Sequence, residues 1–218
     1  MNIKDKIIHK LEEIELSTEE LGDALGKTGV IKNVYPINSG KYVVGEIQYF
    51  YAHSNSNWPV HDQLRSLKQN KICFIDSLFV NEEDYAIFGE LVSTFIIEKK
   101  EAKAIVVNGR LRDLSGLKKR NYPVWCKGIT PIGCFNFNVP ENAEIKRLAK
   151  QRYDYFDGAI MVCDDSGVVV LPKEEINDAF LEKISNMRKQ EEIWFDCVEK
   201  KDWDTFDTVC LKKYLDKK

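Results

Sequence analysis

The sequence predicts one α/β domain that contains parallel sheet and is followed by a helical extension. Segments typical of strands and of helices alternate through the middle of the chain, and two short apolar runs later flank a turn-forming segment. Helical patterning dominates from Lys173 onward. The 218 residues are enough for one large domain, or for one domain with an extension.

The first third of the chain predicts helices and strands from local patterns. Apolar residues recur at helical spacing over residues 3–14, which indicates an amphipathic helix. A second helix is predicted to begin at Ser17, because Ser17 and Glu20 have the spacing of a capping box, and to end at Gly26 or Gly29. The next predicted elements are a strand over Tyr42–Ala52, a short helix over His61–Lys68 and a buried strand over Ile72–Asp76.

The alternation of strands and helices is clearest in the middle of the chain. The predicted elements there are a helix over Asp84–Lys99, a strand over Ala104–Val107, a helix over Asp113–Arg120 and a strand over Pro123–Lys127. This order is typical of βαβ units, whose strands pair in parallel.

A hairpin is predicted in the last third of the chain. Ala159–Cys163 and Val168–Leu171 flank the run Asp164–Gly167, whose residue types favour a tight turn. We therefore assign residues 1–175 to the core domain and residues 176–218 to a C-terminal helical extension.

Composition and charge exclude several classes of protein. The net charge is −3, from 32 basic and 35 acidic residues, which argues against a nucleic-acid-binding protein or one that binds an anionic membrane through a broad basic face. No apolar stretch approaches the roughly 18–20 residues of a membrane span. The first residues lack the apolar core of a signal peptide. We expect a cytoplasmic protein.

Cysteine and histidine patterns are unfavourable for a zinc site. The six cysteines contain no Cys-x-x-Cys pair, and most lie in apolar runs that favour a reduced buried thiol. The three histidines do not form a His-Glu-x-x-His motif, and a surface or packing role is favoured for His53 and His61 over a shared metal site. Any metal would therefore be held mainly by carboxylates and water, which favours Mg²⁺, Mn²⁺ or Ca²⁺.

A phosphate-binding loop is not supported by the glycines near the N-terminus. Gly26-Lys27-Thr28 resembles the end of such a loop, but position 21, where the motif requires glycine, is Leu21. The segment also follows a predicted helix instead of a strand. A helix-ending turn is the favoured interpretation.

Two segments together suggest a binding site. Gly89 permits close approach of a ligand to the start of a helix, where free N–H groups attract anions, and Glu90 follows it. Arg112 and Asp113 follow a strand of the predicted parallel sheet, an edge where α/β proteins place ligands. Arg112 can bind a carboxylate and Asp113 a hard cation.

Structural interpretations of the same residues remain open. Asp113 is well placed to be a helix N-cap, and Glu90 in a first helical turn would complement the helix dipole. Arg112 and Arg110 can be solvated.

The chain resembles the regulator of ribonuclease activity A family. The family includes class II 4-hydroxy-4-methyl-2-oxoglutarate/4-carboxy-4-hydroxy-2-oxoadipate aldolases, often labelled demethylmenaquinone methyltransferases. The matching runs are Val43–Glu46, Ala86–Leu91, Val106–Asp113, Tyr122–Pro131 and Asp164–Pro172. The most specific parts are Gly-Arg-Leu-Arg-Asp and Gly-Ile-Thr-Pro, which occur in the family's order.

The resemblance implies a fold, an assembly and an activity. The fold is a swivelling β/β/α-like domain with a mixed sheet, assembled as a homotrimer or homohexamer with active sites between subunits. The implied activity is that of a divalent-metal-dependent lyase, an aldolase or decarboxylase that cleaves a pyruvoyl-containing 2-oxo acid through a metal-stabilised pyruvate enolate. The alternative within the family is a non-catalytic regulator that binds RNA-degrading enzymes.

The resemblance also implies roles for individual residues. Asp113 would be the direct ligand of Mg²⁺ or Mn²⁺, and Glu90 would hold metal-bound water. Arg112 and the backbone N–H groups of Leu91 and Val92, beside Gly89, would bind the pyruvoyl carboxylate and oxygen.

The sequence departs from the family pattern at several positions. Gly116 stands where aldolases carry a second acidic residue, and Asn108 where members carry aspartate. Residues 144–155 stand where the family has a glycine-rich segment. Their four basic residues could contact an anionic substrate or form a solvated helix face, and the solvated face is the favoured interpretation. Glu191 or Glu192 is the candidate for the C-terminal glutamate that completes a neighbouring subunit's site.

Overall fold

A seven-stranded mixed sheet forms the centre of the computed structural model, which describes residues 1–81 and 83–215. The strands are β1 Tyr35–Pro36, β2 Val43–His53, β3 Ile72–Leu78, β4 Ala104–Leu111, β5 Val124–Ile129, β6 Ile160–Cys163 and β7 Val168–Leu171. Their order across the sheet is β1-β5-β4-β3-β2-β6-β7. Strands β2, β3, β4 and β5 pair in parallel, as the βαβ pattern predicts.

The remaining strand pairs are antiparallel. β6 and β7 form the predicted hairpin, and β6 joins it to the sheet by pairing with β2. The Oδ1 atom of Asp164 accepts a hydrogen bond from the backbone N–H of Ser166 at 2.9 Å, which stabilises the turn. The short edge strand β1 pairs with β5 and is absent from the sequence-based prediction, because two residues carry no periodicity.

Seven α-helices surround the sheet within the described residues. They are α1 Ile3–Ile14, α2 Thr18–Ala24, α3 Trp58–Gln63, α4 Glu90–Thr94, α5 Leu114–Arg120, α6 Ala143–Phe156 and α7 Asp178–Lys201. The capping box before α2 is confirmed: Ser17 and Glu20 exchange hydrogen bonds at 2.9 and 3.1 Å. Gly26, with φ +69°, follows the end of α2. No helix in the described part of the chain is long and apolar enough to cross a membrane.

The hydrophobic core has three layers. One face of the parallel strands packs against the helices α3 to α5 through residues such as Ile75 and Leu117. The other face packs against the β6–β7 hairpin around the fully buried Trp125. The outer face of the hairpin is covered by α1, α2 and α7. This layering confirms the predicted α/β class with a mixed sheet and β/β/α arrangement.

The helix predicted over Asp84–Lys99 begins only at Glu90. Residues 86–88 instead form a bridge between two other segments: the N–H of Ala86 donates to the carbonyl of Ile132 at 2.7 Å, and that of Ile87 to the carbonyl of Arg110 at 2.8 Å. These bonds hold the backbone extended, so the helix cannot start earlier. After α4 the chain continues as a π-helical turn over Phe95–Lys99.

Two other predicted boundaries are wrong. Strand β4 runs to Leu111, four residues beyond the predicted end, so Asn108 lies inside the strand and not in the following loop. The helix predicted over His61–Lys68 begins at Trp58, with Pro59 in its first turn, and passes into a 3₁₀ turn over Leu64–Ser66. The N–H groups of a first helical turn have no acceptor within the helix. Proline, which lacks an N–H, is favoured there because no hydrogen bond is lost.

The C-terminal segment is helical with interruptions. A 3₁₀ turn over Lys173–Glu175 precedes α7, and α7 ends at Lys201, followed by the cap residue Asp202 with φ +54°. A π-helical turn over Phe206–Cys210 and a 3₁₀ turn over Lys213–Leu215 follow. The first half of α7 packs on α1 and α2; residues 216–218 of the predicted extension lie outside the described residues.

A buried carboxylate lies near the carboxyl end of β3. Asp76 is 1% exposed, and its carboxylate accepts hydrogen bonds from Arg152 Nε at 2.5 Å and from Asn108 Nδ2 at 2.6 Å. The amide at position 108 can donate to Asp76, whereas a second aspartate there would place two negative charges together. The arrangement thus gives a local reason for Asn108.

The basic residues of α6 divide into two groups. Lys146, Arg147 and Lys150 are exposed, as the favoured solvated-face interpretation predicts. Arg152 departs from it, because this half-buried side chain turns inward to Asp76 and lies over the ring of Phe156, 4.5 Å from its centroid.

Removing Arg152 should therefore destabilise the fold. Arg152→Met leaves Asp76 buried without its charged partner, so the free energy of unfolding is expected to fall by about 3 kcal/mol in urea denaturation. Lys150→Met removes an exposed side chain of the same helix that pairs with Asp154; it is the control and should change the free energy of unfolding by less than about 0.5 kcal/mol. Equal effects of the two variants would contradict a stabilising role for the buried pair.

Candidate functional site

A cleft of about 440 Å³ lies where the end of β4 meets the start of α4. It is lined by the segment around Gly89, by Arg112 and Asp113, by residues at the start of α3 and by residues 133–136. This volume suits a small organic molecule. Of the residues predicted for the site, the structure places five along this cleft: Gly89, Leu91, Val92, Arg112 and Asp113.

Asp113 links the two elements that form the cleft. Asp113 occupies the N-cap position of α5, as the capping interpretation predicts. Its side chain, however, makes no capping hydrogen bond to that helix. Its Oδ2 atom instead accepts from the N–H of Glu90, the first residue of α4, at 3.2 Å. Asp113 has φ +61°, a conformation that costs free energy for a residue other than glycine and is often found at functional sites.

Gly89 is required by the position of Asp113. A Cβ atom on residue 89 would lie 2.0 Å from Asp113 Oδ2 and 2.8 Å from Arg112 Cγ. Any side chain at position 89 would displace the carboxylate. The glycine therefore allows the start of α4 to contact the carboxylate directly.

Arg112 lies beside the same space. Its backbone N–H donates to the carbonyl of Phe88 at 3.0 Å, and its Nε is 3.8 Å from Asp113 Oδ2. Gly133 accommodates the guanidinium, because a Cβ there would lie 2.8 Å from an Arg112 terminal nitrogen. Arg110, by contrast, points elsewhere, and a terminal nitrogen donates to the carbonyl of Ile129 at 3.4 Å.

Glu90 lies beside the cleft and does not line it. Its Oε1 atom accepts from Arg120 Nε at 2.7 Å, which connects α4 to α5. Its other oxygen occupies the space over Gly116, where a Cβ would lie 2.0 Å away. The site thus lacks a side chain at position 116, and the carboxylate of Glu90 fills that volume.

Arg120 is held by several groups. It also donates to Glu98 at 3.1 Å and to the hydroxyl of Tyr122 at 3.2 Å. The hydrogen bonds to Glu90 and Tyr122 raise the pKa of Arg120. The positive charge that anchors Glu90 is therefore present at every physiological pH.

The part of the cleft lining at the start of α3 was not predicted from the sequence. Asn57 and His61 lie there, one turn apart at the start of α3. The Nδ2 group of Asn57 donates to the carbonyl of Ile87 at 2.9 Å, whereas its Oδ1 atom is buried and has no hydrogen-bond partner among the described residues. The only local signal for this part of the site was a polar residue just before a helix that has proline in its first turn.

Two further side chains, His53 and Cys134, differ in their position relative to the cleft. His53 is buried away from the cleft, with Nε2 3.8 Å from Glu141 Oε1, so it forms no pair with His61. Burial lowers the pKa of His53. Cys134 lines the cleft, and burial raises the pKa of its thiol to about 11, so the thiol is protonated at neutral pH and is a poor nucleophile.

Glu191 and Glu192 lie on a different surface, along α7. Glu191 lies near the buried Glu20 of α2, and burial followed by the charge of Glu20 raises its pKa. Arg188 partly offsets this, with a terminal nitrogen 3.6 Å from Glu20 Oε1. Neither glutamate lines the cleft.

The donor groups of the cleft fit a hard cation that keeps most of its water. No group of three or more histidine, cysteine, aspartate or glutamate side chains suited to a metal occurs in the described ranges. Asp113 is the one carboxylate among the described lining residues, and it is about half exposed. One carboxylate with water and substrate oxygens is a usual Mg²⁺ environment, so the residues present are compatible with such an ion.

Comparison with known proteins gives a family match over most of the chain. A family model described as RraA-like, Aldolase/RraA, matches residues 17–170. That range contains every residue of the cleft.

Two relatives illustrate the sequence similarity. Over 164 residues, 72% of this chain and 73% of the relative, the chain is 27% identical to a protein of Halalkalibacterium halodurans named "Putative 4-hydroxy-4-methyl-2-oxoglutarate aldolase". It is 24% identical over 193 residues, 83% of this chain, to protein DlpA of Legionella pneumophila, of whose length the match spans only 30%.

Solved structures share the fold at low identity. An uncharacterized protein from Pseudomonas syringae pv. tomato matches with a TM-score of 0.69 and 20% identity, over 95% of this chain and 94% of that one. RraAS2 of Streptomyces coelicolor, described as an unusual member of the RNase ES inhibitor RraA protein family, matches with a TM-score of 0.60 and 17% identity, over 85% and 92%.

The tight packing at Gly89 predicts opposite effects for two glycine substitutions. Gly89→Ala is expected to lower the free energy of unfolding by about 2 kcal/mol, because the new methyl group collides with Asp113. Gly22→Ala places a methyl group on α2 with no other atom within 4 Å. Because alanine has the higher helix propensity, this variant should raise the free energy of unfolding by up to about 1 kcal/mol. Urea denaturation measures both, and a destabilisation of equal size in the two variants would contradict the packing argument.

The contact between Glu191 and Glu20 predicts a pH-dependent effect. Because the pKa of Glu191 is raised, its stabilising contribution is present below the ordinary carboxyl pKa and is lost as the pH rises through the raised value. At pH 7, Glu191→Gln is therefore expected to increase the free energy of unfolding by about 0.5 kcal/mol, and the gain should vanish towards pH 4. Glu192→Gln is the control in urea denaturation; a Glu191→Gln protein less stable than wild type at pH 7 would refute the repulsion.

Proposed function

Because the chain belongs to the RraA-like family, Aldolase/RraA, we propose that it is a divalent-metal-dependent lyase acting on a pyruvoyl-containing 2-oxo acid. The reaction class is retro-aldol cleavage or decarboxylation, both of which leave a pyruvate enolate. One observation carries the proposal: Arg112 and Asp113 face one small cleft at the start of α4. This chemistry needs a guanidinium to bind the substrate, a carboxylate to hold the metal ion and free backbone N–H donors.

Arg112 would bind the carboxylate of the pyruvoyl group. Its guanidinium presents paired donors that match a carboxylate, and Gly133 leaves it room. The N–H groups of Leu91 and Val92 belong to the first turn of α4, where no intrahelical acceptor exists, so they are suited to the 2-oxo oxygen. These contacts would hold the scissile bond next to Asp113.

Asp113 would hold Mg²⁺ or Mn²⁺ together with water. When bound, such an ion supplies Lewis acidity to the 2-oxo group. Arg112 would add positive charge near the oxygen that becomes negative as the carbon–carbon bond breaks. The hydrogen bond from the N–H of Glu90 would keep the Asp113 carboxylate oriented.

For Glu90 we propose a positioning role. Its carboxylate is engaged by Arg120, and this contact joins α4 to α5, the two helices whose ends carry the site. Loss of the contact would loosen the position of Gly89 against Asp113. The proposed role replaces the one implied by resemblance, in which Glu90 would hold water on the metal.

Assembly into a homotrimer or homohexamer belongs to the same proposal. In such an assembly Glu191 or Glu192 of a neighbouring subunit would approach the cleft, which they do not reach within one subunit. A cytoplasmic location is also proposed.

A non-catalytic role in binding RNA-degrading enzymes is the second candidate. The observation that favours it is Gly116, which leaves the site without the second acidic residue of the aldolase pattern. Recovery of a ribonuclease or helicase with the protein, together with absence of turnover, would support this alternative.

Substitution of Asp113 and Arg112 tests the lyase. With Mn²⁺ and oxaloacetate or 4-hydroxy-4-methyl-2-oxoglutarate, Asp113→Asn is expected to lower pyruvate release at least about 100-fold, and Arg112→Lys to raise KM about tenfold or more, since lysine cannot bind bidentately. Asp154→Asn and Arg65→Lys, both exposed, are the matched controls. Absence of pyruvate from every member of a panel of 2-oxo acids that includes substrates with apolar tails, or turnover by Asp113→Asn equal to wild type, would rule the lyase out.

A further inference from the structure

The composition of the cleft points to a particular class of substrate. We propose that the cleft selects 4-hydroxy-2-oxo acids whose tail beyond C4 is apolar, and discriminates against those that end in a second carboxylate. The inference rests on the proposed function for the identity of the pyruvoyl head. It goes beyond that function in assigning Phe135, Leu91 and Asn57 to recognition of the tail and of the C4 hydroxyl group.

Charge in the cleft matches one carboxylate and not two. Arg112 is the only lysine or arginine among the described residues that line the cleft, and Asp113 is negative. Once Arg112 holds the carboxylate of the head, and Asp113 with its ion faces the 2-oxo oxygen, a second carboxylate at the end of the tail would meet no further lysine or arginine of the described lining to offset its desolvation.

The mouth of the cleft is apolar. Leu91 is 84% exposed and Phe135 is 49% exposed, although both side chains line the cleft. Phe135 is also the middle ring of an aromatic row, with centroids 5.7 Å from Tyr85 and 5.3 Å from Phe137. A phenyl or branched aliphatic tail would cover this surface and remove it from water, whereas a carboxylate would be dehydrated against it.

Asn57 provides an acceptor for the hydroxyl group. The Nδ2 group of Asn57 donates to the carbonyl of Ile87, which orients the side-chain amide. The backbone N–H of Asn57 donates to the carbonyl of Phe135 at 2.9 Å, which holds the main chain. Reversing the amide would bring two oxygens together, so Oδ1 is the atom left without a partner. A buried acceptor without a donor is costly, and the C4 hydroxyl of the substrate would supply the donor.

The reaction for such a substrate balances without any further reactant. In 4-hydroxy-4-phenyl-2-oxobutanoate the C3–C4 bond breaks, the C4 hydroxyl gives up its proton and C4 becomes the carbonyl carbon of benzaldehyde. The electron pair of the broken bond passes to C3 as the pyruvate enolate, which accepts a proton to give pyruvate. One substrate molecule yields one pyruvate and one benzaldehyde.

Binding of two uncleavable 2-oxo acids tests the selection of the tail. 4-Phenyl-2-oxobutanoate and 2-oxoglutarate share the head and differ in the tail, and calorimetry at pH 8 with Mn²⁺ is expected to give a Kd about tenfold lower for the phenyl compound. Phe135→Ala should abolish this preference and Phe135→Lys should reverse it. Phe137→Ala, an exposed ring outside the cleft, should preserve it. Equal affinities in wild type, or tighter binding of 2-oxoglutarate, would overturn the proposal.

Substitution of Asn57 tests recognition of the hydroxyl group. Asn57→Leu is expected to raise KM for 4-hydroxy-4-phenyl-2-oxobutanoate about tenfold and to leave the Kd of 4-phenyl-2-oxobutanoate, which has no hydroxyl group, unchanged. An equal loss for both compounds would show a merely structural role and overturn the assignment of Asn57.

Turnover separates failure of this inference from failure of the proposed function. Pyruvate release from oxaloacetate, which carries the head without a C4 hydroxyl group, reports the lyase alone. Turnover of oxaloacetate with no preference for 4-hydroxy-4-phenyl-2-oxobutanoate over 4-hydroxy-4-methyl-2-oxoglutarate in kcat/KM would overturn the selection and leave the lyase standing. Absence of pyruvate from all three would refute the lyase, and the calorimetric comparison would then decide the selection by itself.

Discussion

The contact between Asp113 and the first residue of α4 is the constraint on which the candidate site depends. It requires a glycine at position 89, a left-handed backbone at Asp113 and an extended bridge over residues 86–88. The bridge in turn is held between the end of β4 and the segment after β5, so the parallel sheet sets the distance between its two anchors. A helix that began earlier would break the bridge and move the carboxylate away from the cleft.

Two departures from the family pattern have local physical reasons. At position 116 the absence of a side chain leaves room for the carboxylate of Glu90, which Arg120 holds in place. At position 108 an amide donates to the buried Asp76, where a carboxylate would repel it. In both places an acidic group lies near the position where the pattern expects one, but a different residue supplies it. Local packing therefore accounts for the residue that this chain carries at each of the two positions.

Charge is distributed unevenly between the site and the rest of the molecule. Buried or half-buried ion pairs, such as that of Arg152 with Asp76, join elements that lie outside the cleft and stabilise the carboxyl edge of the sheet. Within the cleft Arg112 and Asp113 are half exposed and only loosely paired, at 3.8 Å. Groups that are not committed to each other remain available to a ligand, which is the physical basis for placing the chemistry here.

The amino-acid sequence by itself determined the strands of the parallel sheet, the β6–β7 hairpin, the capping box of α2 and the two separate segments that carry Gly89 and the Arg112-Asp113 pair. Each depends on periodicity or on residues a few positions apart. Only the tertiary structure decided that α4 begins at Glu90, that Glu90 turns to Arg120 and that Asn57 faces the cleft. Those outcomes depend on hydrogen bonds between residues 23 to 46 positions apart in the chain, which no local pattern encodes.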